Sequence, residues 1–411
     1  MISRRALLPI SLLAAVRGRN AFLTWNDVRP ALELCHLASP RELSAASWPR
    51  WIQQHDAAIR ARLLRGEEDS LVNFVLYGVS FTSRPRGEDV DGRIRDFVRA
   101  VRTPGANERL VWLNRVLSRV LNRVPTRQKQ PAEAWVQNAV SRYVTEQRQL
   151  ARDPDVAQLY RNRGLSVDTN FRPNWAIEQA LASFKRPIRR AAIVGPGLDF
   201  TDKDGGFDYY PLQTLQPFAL ADSLLRLGLA RADDLRIGVF DISPQTLEHI
   251  ARTTRLELVL DRGRQWNPEA LAYWRHFGDR IGTEVQPMRA PPQVQNVERR
   301  AVTIRREIVD LMEPASLNVV TQRASERFDL IIATNILVYY DEFERALASL
   351  NIAAMLADGG VFLANSPLPE CPALRLHSTG RVDVKYSNAV NDDDRIEIYS
   401  NARFGRPLAP R

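Results

Sequence analysis

The sequence predicts an α/β protein: a seven-stranded, mostly parallel sheet with an antiparallel C-terminal hairpin, preceded by a mainly helical N-terminal region. Three observations predict it. Before about residue 180, apolar residues recur at steps of three and four, the period of a helix face. After residue 190, short apolar runs alternate with helical stretches, as in a parallel sheet covered by helices. Near the end, RVDVKYSNAVNDDDRIEIYS holds two alternating segments joined by an Asn/Asp-rich turn, the pattern of a hairpin. The expected division is a helical region over 1–180 and a sheet domain over 181–411.

The chain has 411 residues, enough for two domains, and its 45% apolar and 26% charged content suits a globular core. The net charge of +9, carried mostly by arginine, bears on partners and not on fold. The start, MISRRALLPISLLAAVRGRNAF, has Arg4 and Arg5 followed by an apolar run from Ala6 to Val16, the first two parts of a secretory signal. Arg17, Gly18 and Arg19 follow it, with no small-x-small cleavage site. The run is shorter than the about 20 residues that span a bilayer. A first helix packed on the domain is therefore preferred, with an export or anchoring signal as the alternative. No other stretch is long enough to cross a membrane.

In NERLVWLNRVLSRVLNRV, Leu110, Leu113, Leu117, Val120 and Val124 share one helix face, and Arg115, Arg119 and Arg123 form a stripe elsewhere on it. PTRQKQ then reads as a linker before a second helix with Pro131 in its first turn and Trp135, Ala139 and Tyr143 on one side. The candidate strands are Ala191–Val194, Leu235–Phe240, Val302–Val309, Phe328–Ala333, Gly360–Ala364, Arg381–Tyr386 and Arg395–Ser400. The first five are expected parallel and the last two as the hairpin. The cysteines, Cys35 and Cys371, lie far apart and suggest neither a zinc site nor a disulfide framework. The five histidines are scattered, so no metal site is expected.

RRAAIVGPGLDF runs from a buried strand into Gly195 and Gly197, where bare backbone lets a ligand approach closely. A dinucleotide site wants a third small residue where Phe200 stands, which disfavours a nicotinamide or flavin cofactor. The second strand ends at Asp241, before Ser243-Pro244 and a helix. An acid there accepts hydrogen bonds from ribose hydroxyls; the alternative is a cap for the helix that follows.

With FDLIIATNILVYYD the pattern resembles the class I (Rossmann-like) S-adenosylmethionine-dependent methyltransferases. AAIVGPGLDF is similar to their first motif, GVFDIS to their second and the strand-four stretch to their fourth; the likeness covers roughly 185–402. Strand four, with VDLMEP before it and LADGGVFL after it, is especially similar to the chemotaxis-receptor glutamate methyltransferases. The resemblance implies S-adenosylmethionine as cofactor and S-adenosylhomocysteine as product. It implies that Gly195, Pro196 and Gly197 lie against the aminoacyl end, that Asp241 holds the ribose with Ile242 against the adenine, and that Asp310 and Leu311 meet the adenine. It implies Thr334 and Asn335 beside the methionine moiety, with Asn335, Tyr339 and Tyr340 as the catalytic candidates. Asp341 is a further candidate base, with helix packing for the tyrosines and a cap for Asp341 as the structural alternative.

The chain departs from the family in three ways. Gly197 and Asp241 are 44 residues apart rather than the usual about 20. The extra segment carries Phe207, Tyr209, Tyr210 and Gln213, as a pocket wall or as a packed loop, and a further insertion runs from about Trp266 to Gln293. Thr334 stands where the chemotaxis enzymes have arginine, so their substrate does not transfer. The acceptor is open, with a small molecule or a protein side chain favoured. The alternatives are an RNA methyltransferase using the Arg-rich segment 83–123, and a cofactor-binding module without catalysis. A cytoplasmic location is expected, because the methyl donor is made there.

Overall fold

The computed structural model describes residues 20–35, 37, 40, 43–123, 131–150, 164–166, 169–201 and 208–401. The signal-like run, Val124 and Phe207 lie outside the described residues.

The chain begins with β1 (Ala21–Phe22), α1 (Trp25–Leu34), α2 (Trp48–Tyr77), α3 (Val90–Arg102), α4 (Glu108–Arg123), α5 (Ala132–Leu150) and α6 (Pro173–Leu181). The sheet half follows as β2 (Arg190–Val194), α7 (Gln216–Arg226), β3 (Arg236–Asp241), α8 (Pro244–Arg252), β4 (Arg255–Asp261), α9 (Pro268–His276), β5 (Gly282–Val285), β6 (Val297–Ile304), α10 (Arg306–Val309), β7 (Met312–Ser316) and β8 (Gln322–Arg323). It ends with β9 (Phe328–Ala333), α11 (Glu342–Met355), β10 (Leu356–Ala364), β11 (His377–Lys385) and β12 (Asp393–Ser400).

The main sheet has seven strands in the order β11-β12-β10-β9-β2-β3-β7. The five from β10 to β7 are parallel, while β12 is antiparallel to β10 and to β11. Strand β2 sits centrally and is buried on both faces, as the unbroken run AAIV requires. Its residues alternate between two cores: Ala191 and Ile193 pack with α6 and α7, and Ala192 and Val194 pack with α2 and α11. A third core fills the α2–α5 bundle and takes in Leu198 and Phe200.

The third parallel strand lies elsewhere than expected. Of Val302–Val309, the first three residues end β6 and Arg306–Val309 form the short helix α10. The strand in the main sheet is MEPAS, from Met312 to Ser316. Its proline, paired with Val239, is tolerated because β7 is an edge strand with one side unpaired. Strands β4, β6 and β5 form a separate antiparallel sheet of three, which the sequence reading did not foresee. The cysteines also correct the expectation: Cys35 at the end of α1 and Cys371 after β10 form a disulfide spanning 336 residues. Among the described residues, no helix is long and apolar enough to cross a membrane.

Candidate functional site

The neighbours of β2 are β3 on one side and β9 on the other, so the strand order reverses there and a crevice opens at the carboxyl ends. A hollow occupies it. Its floor is Val194, Gly195, Gly197 and Phe240 to Ile242, one side is Leu317 and Val319 past β7, and the other is Ile336, Tyr339 and Tyr340. Leu63 of α2 with Leu165 and Ser166 close it from above.

Gly195 and Gly197 both have φ +66°, which a side chain strongly disfavours. The Gly195 amide donates to the Phe240 carbonyl at 2.7 Å, tying the turn to the end of β3. Asp241 is 8% exposed. Its carboxylate accepts from the Ser243 amide at 2.7 Å, with further donation from the backbone of Gly197 and Ile242. Burial outweighs these donors and pushes the carboxyl up to about 6. The cap of α8 is Ser243, whose hydroxyl accepts from the Thr246 amide at 3.3 Å, so Asp241 is left for the hollow.

The segment after β9 delivers Ile336, Tyr339 and Tyr340. Tyr340 is buried, which pushes its hydroxyl well up, and the Arg62 guanidinium lies 5.5 Å from its ring centre. Arg62 also donates to the Tyr339 carbonyl and pairs with Glu344 at 3.0 Å. Desolvation of the Glu344 carboxyl is more than offset by His55 and Arg62, which hold it below the usual range. Asp341 caps α11, accepting from the Glu344 amide at 2.8 Å. It plays the structural role.

The remaining candidates divide. Pro196 is buried in the turn, and Thr334 is buried, accepting from Gln216 at 2.7 Å; neither lines the hollow. Asn335, at φ +59°, lines the open cleft beside it, which shares Ser166 and Tyr339 with the hollow. Its side-chain oxygen accepts from Asn365 at 2.6 Å and its amide donates back at 2.8 Å. Asp310 and Leu311 are corrected. They precede β7, at the amino end of the sheet, where Asp310 pairs with Arg306 at 2.7 Å and Leu311 is core. The shift of the strand moved the wall to Leu317 and Val319. The cleft also holds Asp394, unforeseen from sequence, whose carboxyl is pushed up by burial and accepts from Tyr386 at 3.1 Å.

The segment after the glycine turn behaves as a packed loop over its described part. Buried Arg109 donates to the carbonyls of Phe200 at 2.6 Å and Asp199 at 3.0 Å, and to that of Tyr210. Gln213 bonds Asp199 at 2.8 Å and both backbone groups of Glu257 at 2.8 Å. Asp208 accepts from the Val79 and Ser80 amides at 2.8 and 3.1 Å. The Arg-rich segment is similarly engaged: Arg93 is buried against the Val75 carbonyl at 2.8 Å, Arg84 pairs with Asp96 at 3.0 Å and Arg119 with Glu67 at 2.6 Å. Much of its charge thus serves the scaffold.

No family model matches the chain, and no curated protein is similar to it. Solved structures give distant likenesses. The N-methyltransferase NodS from Bradyrhizobium japonicum WM9 is 13% identical over 56% of this chain and 93% of that one, with TM-score 0.29. A TehB-like SAM-dependent methyltransferase from Corynebacterium glutamicum is 10% identical over 63% and 96%, with TM-score 0.25. The glycopeptide N-methyltransferase MtfA complexed with S-adenosyl-L-methionine is 11% identical over 56% and 66%, with TM-score 0.23. Likenesses this distant carry no argument about function.

Proposed function

We propose that the protein is an S-adenosylmethionine-dependent methyltransferase. One observation carries the reading. A buried carboxylate, Asp241, stands at the carboxyl end of the strand beside a positive-φ glycine turn, where the sheet order reverses. The residues fit the cofactor: beyond its backbone amide partners the Asp241 carboxylate can still accept from ribose hydroxyls, and the apolar sides at Ile242, Phe240 and Leu317 suit a purine. The nearer likeness of strand four to the chemotaxis-receptor enzymes rests on sequence alone.

When bound, S-adenosylmethionine supplies a methyl group already activated by its sulfonium. The chain's own work is binding, orientation and exclusion of water, and good orientation is worth about 7–11 kcal/mol. Asp241 holds the ribose end. Leu63 and Leu165 shut water out from above. Tyr339 borders both hollow and cleft, and so faces cofactor and acceptor together. Asp394 is suited to hold the acceptor's proton, its carboxyl being pushed above the usual range. Tyr340 keeps its proton at working pH and so does not serve as the base.

Calorimetric titration of the full chain with S-adenosylmethionine and S-adenosylhomocysteine tests the reading. Saturable binding of both, lost in Asp241→Asn, supports it; a flat isotherm with both overturns it. Binding without turnover on amine, carboxylate and hydroxyl acceptors favours the cofactor-binding module.

A further inference from the structure

One residue of α2 joins two borders of the Asp241 hollow. The side chain of Arg62 reaches the wall: its guanidinium donates to the Tyr339 carbonyl and lies 5.5 Å from the centre of the Tyr340 ring. The main chain of Arg62 reaches the cover: its carbonyl accepts from the Leu165 amide at 3.3 Å. Tyr339, Tyr340 and Leu165 line the hollow, as does Leu63, the next residue of the helix. Wall and cover come from distant parts of the sequence, and Arg62 holds both.

A guanidinium suits this place because its donors are splayed in one plane, so separate nitrogens serve separate acceptors. One terminal nitrogen meets both carboxylate oxygens of Glu344 at 3.0 Å, and the other meets the Tyr339 carbonyl. Glu344 is itself fixed. It accepts from the Asp341 amide at 3.2 Å, and the His55 ring lies 3.3 Å from its carboxylate. The Glu344 side chain is 6% exposed and that of Arg62 21%, so solvent and salt screen the pair little. Tyr339 ends a single short turn, Leu337–Tyr339. A turn of that length is not stable alone and takes its position from tertiary contacts.

We propose that Arg62 is a positioning residue that latches the wall at 336–340 to the helix carrying the cover, so that the hollow closes on its occupant as one unit. The inference rests on the methyl-transfer reading for the identity of that occupant. The helical N-terminal region is then part of the cofactor site and not an appended domain. Escape of the nucleoside requires wall and cover to part. The latch therefore governs how long the ligand stays more than how fast it enters.

Surface plasmon resonance on the full chain with S-adenosylhomocysteine reads entry and escape separately. Arg62→Lys keeps the charge and the pair with Glu344 but brings one nitrogen in place of the fork. It is expected to melt near the native temperature, to leave association unchanged and to speed dissociation about tenfold, the difference one hydrogen bond to a charged group provides. Glu344→Gln, which frees the guanidinium from its anchor, is expected to do the same, and the double variant to dissociate little faster than either. Native dissociation in either variant, or effects that add in full, overturns the proposal and leaves Arg62 a surface ion pair. Either variant alone decides the first of these, so one that fails to fold does not shield the proposal. No binding of S-adenosylhomocysteine by the unmutated chain overturns the methyl-transfer reading and this inference with it, whereas binding with native escape in the variants overturns the inference alone.

Discussion

Gly195 and Ile336 are packed so closely that a Cβ on the glycine would stand 2.1 Å from the isoleucine Cδ1. Ile336 forms a side of the hollow and Gly195 part of its floor, so two non-adjacent turns set the width together. A methyl group at residue 195 would both strain a backbone at φ +66° and push Ile336 outward. Gly195→Ala is expected to lose about 1–3 kcal/mol of stability and at least about tenfold in S-adenosylhomocysteine affinity. Thermal melts and calorimetry measure both. Unchanged affinity with a native melting temperature would mean the turn does not shape the site.

Asp241 gives a pH signature. A ligand that donates hydroxyls needs the ionised carboxylate, and the ligand-free carboxyl titrates near 6. Affinity is therefore expected to fall by about tenfold per pH unit below that value, and to be level above it. For stability the sign is opposite. Between about pH 4 and 6 the unfolded chain has released a proton that the folded chain keeps, so rising pH costs up to about 3 kcal/mol. Asp241→Asn abolishes this, and its melting temperature should gain on the native protein as pH rises through that window. A difference that shrinks instead would contradict the burial of the charge.

Much of this site was legible because its elements are locally coded. The runs AAIV, RIGVFD and FDLIIA are buried on both faces and advertise themselves as central parallel strands. Glycine turn and acid then fall at their carboxyl ends by necessity of topology. MEPAS carries no such signal, and the apolar residues of Val302–Val309 outweighed it, which misplaced by several residues the wall of the hollow that Leu317 and Val319 form. Leu63 and Leu165 were invisible for a different reason. Nothing in a helix face or a short loop says which distant strand end it will cover. The Cys35–Cys371 bond is equally non-local.

Gly66 explains how that cover is fitted. It lies within the 30-residue helix α2, where glycine costs about 1 kcal/mol relative to alanine. A Cβ there would fall 1.7 Å from the Leu165 carbonyl oxygen, so the glycine admits the segment that roofs the hollow. Gly66→Ala is expected to lower the melting temperature in spite of better helix propensity, and to weaken cofactor binding about tenfold through the displaced Leu165. A stabilised variant with intact binding would show that the close approach is not needed.

The disulfide predicts that thiol titration of the unfolded, unreduced chain finds no reactive cysteine, and two after reduction. Closing so long a loop stabilises by about 2–5 kcal/mol, so reduction or Cys371→Ser should lower the melting temperature by several degrees. Two free thiols in the native protein would remove the constraint.

Asp394 separates chemistry from binding. Its carboxyl is pushed upward by burial, with Tyr386 and Asn365 donating to the ionised form. A base of this kind works only when ionised, so turnover with a protonated acceptor should rise with pH through a midpoint above the ordinary carboxylate value of about 4. Asp394→Asn keeps the shape and can still accept from Tyr386, so S-adenosylhomocysteine affinity should stay as it was. Turnover should fall about 10²–10⁴-fold, the range a positioned base provides, and the rising limb of the pH profile should vanish. A loss of turnover that leaves that limb in place would assign Asp394 to holding the hairpin against the cleft, and the proton to another group.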